Sequence, residues 1–229
     1  MKDSMTNLEL AYRFLATVFH ESPAAAFMSS LVAQGLIAEW PLSAATKETQ
    51  TGLRLMEAFC AAWIESMLPD LEADFNRLFV GPGRPLAPPW ESYYLSRDHL
   101  LFQAQTLAVR KVYRQFGLEV PRIEHEPDDS LGLELYFMAV LCGRRSSALN
   151  AGQGAAQSEI LLAQREFLVS HVLAWVPQCL GQVIENARFD YYRGAACLGL
   201  GCLIETGAAL GLDVSTPCVD AARRPRERQ

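Results

Sequence analysis

Apolar residues recur at intervals of three or four along most of this 229-residue chain. In residues 7–20, for example, Leu8, Tyr12, Leu15 and Phe19 fall on one face of a helix with a 3.6-residue period. No segment alternates apolar and polar residues between turn signals, the pattern typical of a half-buried β-strand. We therefore predict an all-α fold, a single globular multi-helix domain. The predicted helices cover approximately residues 7–20, 24–39, 47–67, 71–79, 97–116, 128–144, 155–175, 176–187 and 191–210.

Residues 81–90, GPGRPLAPPW, interrupt the helical pattern with four prolines and two glycines. Proline has no amide hydrogen and a fixed φ, so this segment cannot form a regular helix or a central strand. We expect a stiff, extended loop. Such a loop can be a plain connector, or it can wall a binding groove, because little conformational entropy is lost when it holds its shape.

The composition is that of a globular protein, since half of the residues are apolar and a fifth are charged. The length suits one domain over residues 1–229, with a polar, basic tail at 220–229 that we expect to be frayed. A formal net charge of -6 argues against a general nucleic-acid binder and favours basic partners.

The chain shows no pattern typical of secretion or of stable membrane insertion. Its N-terminus lacks a long apolar run, and the apolar stretch Ala195–Leu212 contains Glu205 and several glycines. The six cysteines form no CxxC pair and fit reduced, buried side chains. These features predict a cytoplasmic protein.

Catalytic and cofactor motifs are missing from the sequence. The four histidines form no HExxH spacing, and neither a GxSxG elbow nor a GxxxxGK[ST] phosphate loop occurs. We therefore predict no catalytic residue, no metal site and no cofactor. The pattern favours a binding function over an enzyme.

Residues 124–129, EHEPDD, carry four carboxylates in six positions: Glu124, Glu126, Asp128 and Asp129. Acidic residues at the start of a helix are favoured by the helix dipole, which is one explanation. A dense acidic cluster is also a suitable receptor for the planar guanidinium group of arginine. The sequence leaves both explanations open.

Two long segments resemble the TorD/DmsD family of redox-enzyme maturation chaperones. They are FNRLFVGPGRPLAPPWESYY at 75–94 and EPDDSLGLELYFM at 126–138. The APPW at 87–90 is similar to the DmsD branch, whose partner is a dimethyl-sulfoxide-reductase-type catalytic subunit. The chain departs from the family motif at Ser130, where histidine is common.

The resemblance implies an all-helical domain in which the two motifs line one groove. Members of the family bind the twin-arginine signal peptide of a molybdenum oxidoreductase. They hold the apo catalytic subunit until its cofactor is loaded, and so delay export. Weak guanine-nucleotide binding has also been associated with the family.

A receptor for a twin-arginine peptide needs carboxylates next to an apolar surface, because the two arginines precede an apolar stretch. We expect the signal-peptide site to consist of Leu78, Phe79, Pro89, Trp90, Ser92, Tyr94, Glu126, Pro127, Asp128 and Asp129.

Structural roles remain open for several of these residues. Leu78 and Phe79 also fit core positions, Trp90 also fits packing of the proline loop, and Asp128 also fits helix capping. The alternatives for the whole protein are a chaperone for a nitrate-reductase-type enzyme, a magnesium-dependent nucleotide-binding or hydrolysing protein, and a purely structural interaction protein.

Overall fold

The computed structural model describes residues 2–96, 104–119 and 127–214. No β-strand occurs in these ranges, which confirms the predicted all-α class. The helices are α1 Lys2–His20, α2 Ala25–Ala33, α3 Lys47–Ala62, α4 Leu68–Phe75, α5 Glu91–Leu95, α6 Ala104–Gln115, α7 Leu131–Asn150, α8 Gly154–Phe167, α9 Leu173–Asn186 and α10 Asp190–Ala209. Glu65–Met67 is a 3-10 turn, and Asn76–Val80 and Leu168–Val172 are π-helical turns.

The chain divides into two compact units, each built from two separate stretches of sequence. Unit 1 contains the residues up to His20 together with Pro89–Val176, and unit 2 contains Glu21–Pro88 together with the residues from Pro177 onward. The single domain expected over residues 1–229 stays a prediction. Its frayed tail, 220–229, lies outside the described residues.

Unit 1 is built around the contact between α1 and α7. The apolar stripe predicted for α1 is buried, with Leu8, Tyr12 and Leu15 at most 2% exposed. Gly132 allows the close approach of α7, because a Cβ at this position would lie 2.9 Å from the Cα of His20. Close packing of this kind stabilises the unit mainly by burying apolar surface.

Unit 2 is built around the contact between α3 and α10. Buried Asp74 of α4 joins this pair, since its Oδ2 accepts hydrogen bonds from the backbone amides of Arg188 (2.8 Å) and Phe189 (3.2 Å). Its Oδ1 accepts a bond of 2.6 Å from Arg77 Nη2. The carboxylate thus satisfies the amides of the two residues that lead into α10, where amides have no partner within the helix.

Several helix limits differ from those predicted. α1 begins at Lys2 rather than at residue 7, and α2 ends at Ala33 rather than near 39. Pro69 lies in the first turn of α4, where its missing amide hydrogen costs nothing. The prediction for residues 97–103 falls outside the described residues. The proline-rich segment is irregular, as predicted, and Gly81 and Gly83 take positive φ values of 123° and 89°.

Among the described residues, one helical run, Gly154–Asn186, is long and apolar enough to cross a membrane by length and composition alone. Half of its most apolar window is buried inside the protein, and a single run of this kind is weak evidence for a membrane span. The apolar stretch from Ala195 lies mainly in α10, most of whose residues are buried in unit 2.

Candidate functional site

The structure brings the two motif segments together in unit 1. Trp90 and Ser130 form an isolated antiparallel bridge, in which the amide of Glu91 donates to Asp129 O (3.0 Å) and the amide of Leu131 donates to Pro89 O (2.9 Å). The end of the proline-rich loop is therefore fixed to the start of α7 by main-chain hydrogen bonds. The residues predicted at 89–94 and at 127–129 belong to one local structure.

The buried carboxylate of Asp129 stabilises this structure through hydrogen bonds. The residue is fully buried. Its Oδ2 accepts a bond of 2.7 Å from the amide of Ser92, and its Oδ1 accepts one of 2.7 Å from the Thr106 hydroxyl on α6. Hydrogen bonds to a buried carboxylate are strong, and removing the acceptor would leave two buried donors unsatisfied. The position of Asp129 is that of a positioning residue, since solvent does not reach it.

Asp128 makes an ion pair with Arg110 on α6. Arg110 Nη2 and Nε donate to Asp128 Oδ2 over 2.7 and 3.0 Å. Behind it, the Tyr113 hydroxyl donates to the carbonyl oxygen of Asp128 over 3.1 Å. The hydrogen bond with Asp128 raises the pKa of Arg110. This carboxylate thus contacts a guanidinium group of the protein itself, and its binding of a peptide arginine stays a prediction.

A second layer of buried polar groups lies in the same unit. His171 Nδ1 is 2.9 Å from Oε2 of Glu91, and Trp175 Nε1 donates to Oε2 of Glu134 over 3.0 Å. Burial raises the pKa of Glu134 well above its usual range, and the negative charge of Glu91 adds to this effect. Glu134 therefore favours the neutral, protonated form.

The two predicted aromatic residues in unit 1, Trp90 and Tyr94, are only partly covered. Trp90 and Tyr94 are half-buried, and the Tyr94 ring stacks on Trp175 with centroids 5.4 Å apart. Pro89 and Pro127 are buried. Trp90 and Tyr94 are thus the members of the predicted set that present apolar surface in unit 1.

Leu78 and Phe79 are core residues of unit 2. They are 0% and 2% exposed, and the Phe79 ring packs on Phe75 and Tyr192. The core alternative that the sequence left open therefore describes their environment, and they present no surface to a ligand. Glu126 lies outside the described residues.

Sequence reasoning missed five residues that complete the site: Glu91, Thr106, Arg110, His171 and Trp175. Arg110 and Thr106 precede the acids by 18 and 23 residues, so no local spacing connects them. Glu134 carried a usable signal, because an acidic residue stands inside the apolar run LGLELYF. Within the described part of the chain, no group of three His, Cys, Asp or Glu side chains is arranged to hold a metal ion.

Comparison with known proteins gives consistent matches. The profile of the family described as nitrate reductase delta subunit matches residues 42–181. A protein of Salmonella typhi named Tat proofreading chaperone DmsD is 28% identical over 209 residues, which cover 89% of this chain and 90% of that protein. A protein of Vibrio cholerae named chaperone protein TorD is 30% identical over 182 residues, which cover 80% of this chain and 76% of that protein.

Proposed function

This chain belongs to the nitrate reductase delta subunit family, and we propose that it binds the twin-arginine signal peptide of a molybdenum oxidoreductase as a cytoplasmic proofreading chaperone. It is a redox-enzyme maturation chaperone and not a catalyst, like its relatives named DmsD and TorD. The client we propose is an apo catalytic subunit of the dimethyl-sulfoxide-reductase type, held until cofactor loading and export.

The observation that carries this proposal is the pairing of Pro89–Tyr94 with Pro127–Leu131 in unit 1. The pairing joins the backbone of Trp90, whose side chain is half-buried, to Ser130, two residues after Asp128. A tryptophan and an aspartate held on one local structure support the proposal, because a twin-arginine peptide requires both an apolar contact and a carboxylate. Tryptophan offers a large contact area with few rotamers to restrict, and it also stacks on guanidinium planes.

Three kinds of role follow for the residues of the predicted site. Trp90 and Tyr94 supply apolar contact, and Asp128 supplies the carboxylate for an arginine. Asp129, with Ser92, Pro89 and Pro127, holds the loop in place from the buried side. Leu78 and Phe79 lie in the core of unit 2, where Leu78 O accepts a hydrogen bond of 2.9 Å from the amide of Ala87 in the proline-rich loop.

The expected affinity is moderate, as a chaperone that must release its client requires. Micromolar binding corresponds to about 8 kcal/mol. A charge-assisted contact that is newly formed contributes roughly 1.5–3 kcal/mol, and burial of apolar side chains supplies the remainder after ordering costs.

The test is calorimetric titration with a twin-arginine signal peptide from a dimethyl-sulfoxide-reductase-type enzyme, beside the same peptide with both arginines changed to alanine. We expect saturable binding of the first peptide and binding at least tenfold weaker for the second. Equal binding of both peptides would remove the carboxylate from the mechanism. Absence of binding to either peptide would refute the proposed function.

Trp90→Ala locates the peptide on the protein, and Trp63→Ala is its matched control. Both tryptophans are half-buried, but Trp63 lies in unit 2, where it packs on Phe59. We expect only Trp90→Ala to weaken binding, by roughly 2 kcal/mol, because a central aromatic anchor carries a large share of the binding energy. Equal losses in both variants would point to general destabilisation.

The same titration distinguishes the other candidate functions. A panel of signal peptides separates the proposed client from a nitrate-reductase-type client. Titration with GTP and magnesium, followed by a turnover assay, tests the minor expectation of guanine-nucleotide binding and the hydrolase alternative. The ion pair between Asp128 and Arg110 disfavours a magnesium site at this carboxylate, since Mg²⁺ would have to displace a cation that is already bound.

A further inference from the structure

Asp128 is occupied by an arginine of the same chain. Two nitrogen atoms of Arg110 contact Asp128 Oδ2, at 2.7 and 3.0 Å. The Asp128 side chain is 2% exposed, whereas that of Arg110 is 21% exposed. The carboxylate is therefore buried beneath a guanidinium group that solvent reaches in part.

We propose that Arg110 fills the guanidinium-binding position that an arginine of the signal peptide takes over when the peptide binds. This inference rests on the function proposed above. The contact already has the chemistry that the peptide would use, a planar fork of N–H donors on a carboxylate. Arg110 thereby determines specificity, since any ligand must displace a guanidinium group to reach Asp128.

The surroundings of Arg110 allow this exchange. Thr106, Val109 and Tyr113 are on the buried face of α6, and half-buried Arg110, one turn after Thr106, is at the edge of that face. There it lines an open depression of about 450 Å³ with Leu107, Lys111, Arg114 and Gln115. The Arg110 side chain can leave Asp128 for solvent without disturbing the buried face of its helix.

Asp128 remains in place when Arg110 leaves, because other contacts hold the turn. The Tyr113 hydroxyl donates to the Asp128 carbonyl, and Asp129 is bound to Ser92 and Thr106. A buried carboxylate without a cation is strongly unfavourable. Exchange of one guanidinium for another is therefore favoured over simple opening, and a neutral side chain in the peptide cannot replace Arg110.

An internal competitor lowers the apparent affinity for the peptide, because the peptide can bind only the fraction of molecules in which Arg110 has left Asp128. A peptide with a single arginine gains little from the exchange, because it replaces one guanidinium contact by another. A twin-arginine peptide adds a second guanidinium group and an apolar stretch, and these supply the net gain. Arg110 thus explains how the site rejects peptides that carry an isolated arginine.

The first experiment probes the position without any peptide, using millimolar ethylguanidinium and thermal unfolding. We expect Arg110→Ala to show a saturable rise in Tm, since the small cation fills the vacated place on Asp128. Wild type, Lys111→Ala and Arg110→Ala/Asp128→Asn should show no such rise. Lys111→Ala is the matched control, because it removes one positive charge from the neighbouring, exposed position of α6.

The second experiment measures the affinity for the signal peptide. We expect Arg110→Ala to bind the twin-arginine peptide about tenfold more tightly than wild type, and Lys111→Ala to bind it as wild type does. The gain should vanish with the alanine-substituted peptide. Arg110→Gln provides a second variant if Arg110→Ala does not fold, because its amide can still donate to Asp128.

The two proposals fail in different ways. If wild type prefers the twin-arginine peptide but the folded Arg110 variants bind it no more tightly, the role of Arg110 is refuted and the proposed function stands. If neither wild type nor the variants bind the peptide, the proposed function is refuted and the exchange with it. A folded Arg110→Ala protein whose Tm does not rise with ethylguanidinium would also refute the proposal that Arg110 fills a guanidinium-binding position.

Discussion

Glu134 is a buried acid on α7 whose titration links stability to pH. Its folded-state pKa is raised, chiefly by burial and then by the charge of Glu91. Above the pKa of an exposed glutamate, about 4.3, the unfolded chain loses this proton while the folded protein keeps it. The folded state then binds more protons, so the free energy of unfolding falls as pH rises through this window.

We predict that Glu134→Gln flattens this dependence. A glutamine accepts the Trp175 hydrogen bond and never ionises, so the variant gains on wild type as pH rises, by at most about 1.4 kcal/mol per pH unit. Urea unfolding between pH 5 and 8 measures the difference. Glu159→Gln, at an exposed position of α8, is the control and should run parallel to wild type. Parallel curves for Glu134→Gln would show that Glu134 does not titrate as described.

At the residue scale, the sequence predicted which residue types belong together but not their partners. The acids of EHEPDD and the loop ending in Trp90 were identified as one site, and the structure pairs Trp90 with Ser130. Burial could not be predicted, because a carboxylate in an acidic run usually faces solvent. Asp129 is buried only because Thr106 and the amide of Ser92 satisfy it, and that contact depends on tertiary packing.

At the scale of elements, the contact between α1 and α7 gives a matched pair of glycine substitutions. A Cβ on Gly132 would collide with the Cβ of His20 and lie 2.9 Å from its Cα, so the backbone of α1 would have to move. The three atoms nearest to a Cβ on Gly143 all belong to the carboxylate of Glu9, the end of a flexible side chain. A methyl group at Gly132 thus requires the backbone near His20 to move, whereas one at Gly143 requires only the Glu9 side chain to move.

We predict that Gly132→Ala lowers the free energy of unfolding by about 1–3 kcal/mol, as overpacking does. Gly143→Ala should change it by less than about 1 kcal/mol, because the higher helix propensity of alanine offsets the displacement of Glu9. Chemical denaturation of both variants measures the difference. Equal effects would mean that the two helices adjust to a methyl group with the same ease at either end of their contact.

Helix positions were predictable from apolar spacing, and helix ends were less so. The stripe of Leu8, Tyr12 and Leu15 located α1, but its polar first residues carry no apolar period that marks its start. Likewise, α7 begins at Leu131 rather than at Asp128, because residues 128–130 are held by the bridge to the proline loop. A tertiary contact therefore sets this boundary, and local sequence does not contain it.

At the scale of the whole molecule, the chain connectivity bears on the number of folding domains. Each unit combines two stretches that are distant in sequence, and the chain passes between the units at 20/21, at 88/89 and at 176/177. Neither unit is a contiguous segment. Each unit can complete its core only when its two stretches have come together, and a stretch of the other unit separates them in the sequence. Composition and length predicted a single domain, but they could not reveal this interleaved arrangement.

We predict that the protein unfolds in one cooperative transition, as a single domain does. The four tryptophans allow a direct test, since Trp40 and Trp63 lie in unit 2 and Trp90 and Trp175 lie in unit 1. Fluorescence of Trp40→Phe/Trp63→Phe reports on unit 1, fluorescence of Trp90→Phe/Trp175→Phe reports on unit 2, and far-ultraviolet circular dichroism reports on the helices of both. Within each variant the fluorescence and dichroism midpoints should coincide, because the interleaved stretches prevent one unit from persisting without the other.

The comparison is internal to each protein, so a general loss of stability from the substitutions does not affect it. Midpoints that separate reproducibly would instead establish two domains that unfold independently despite their shared connectivity.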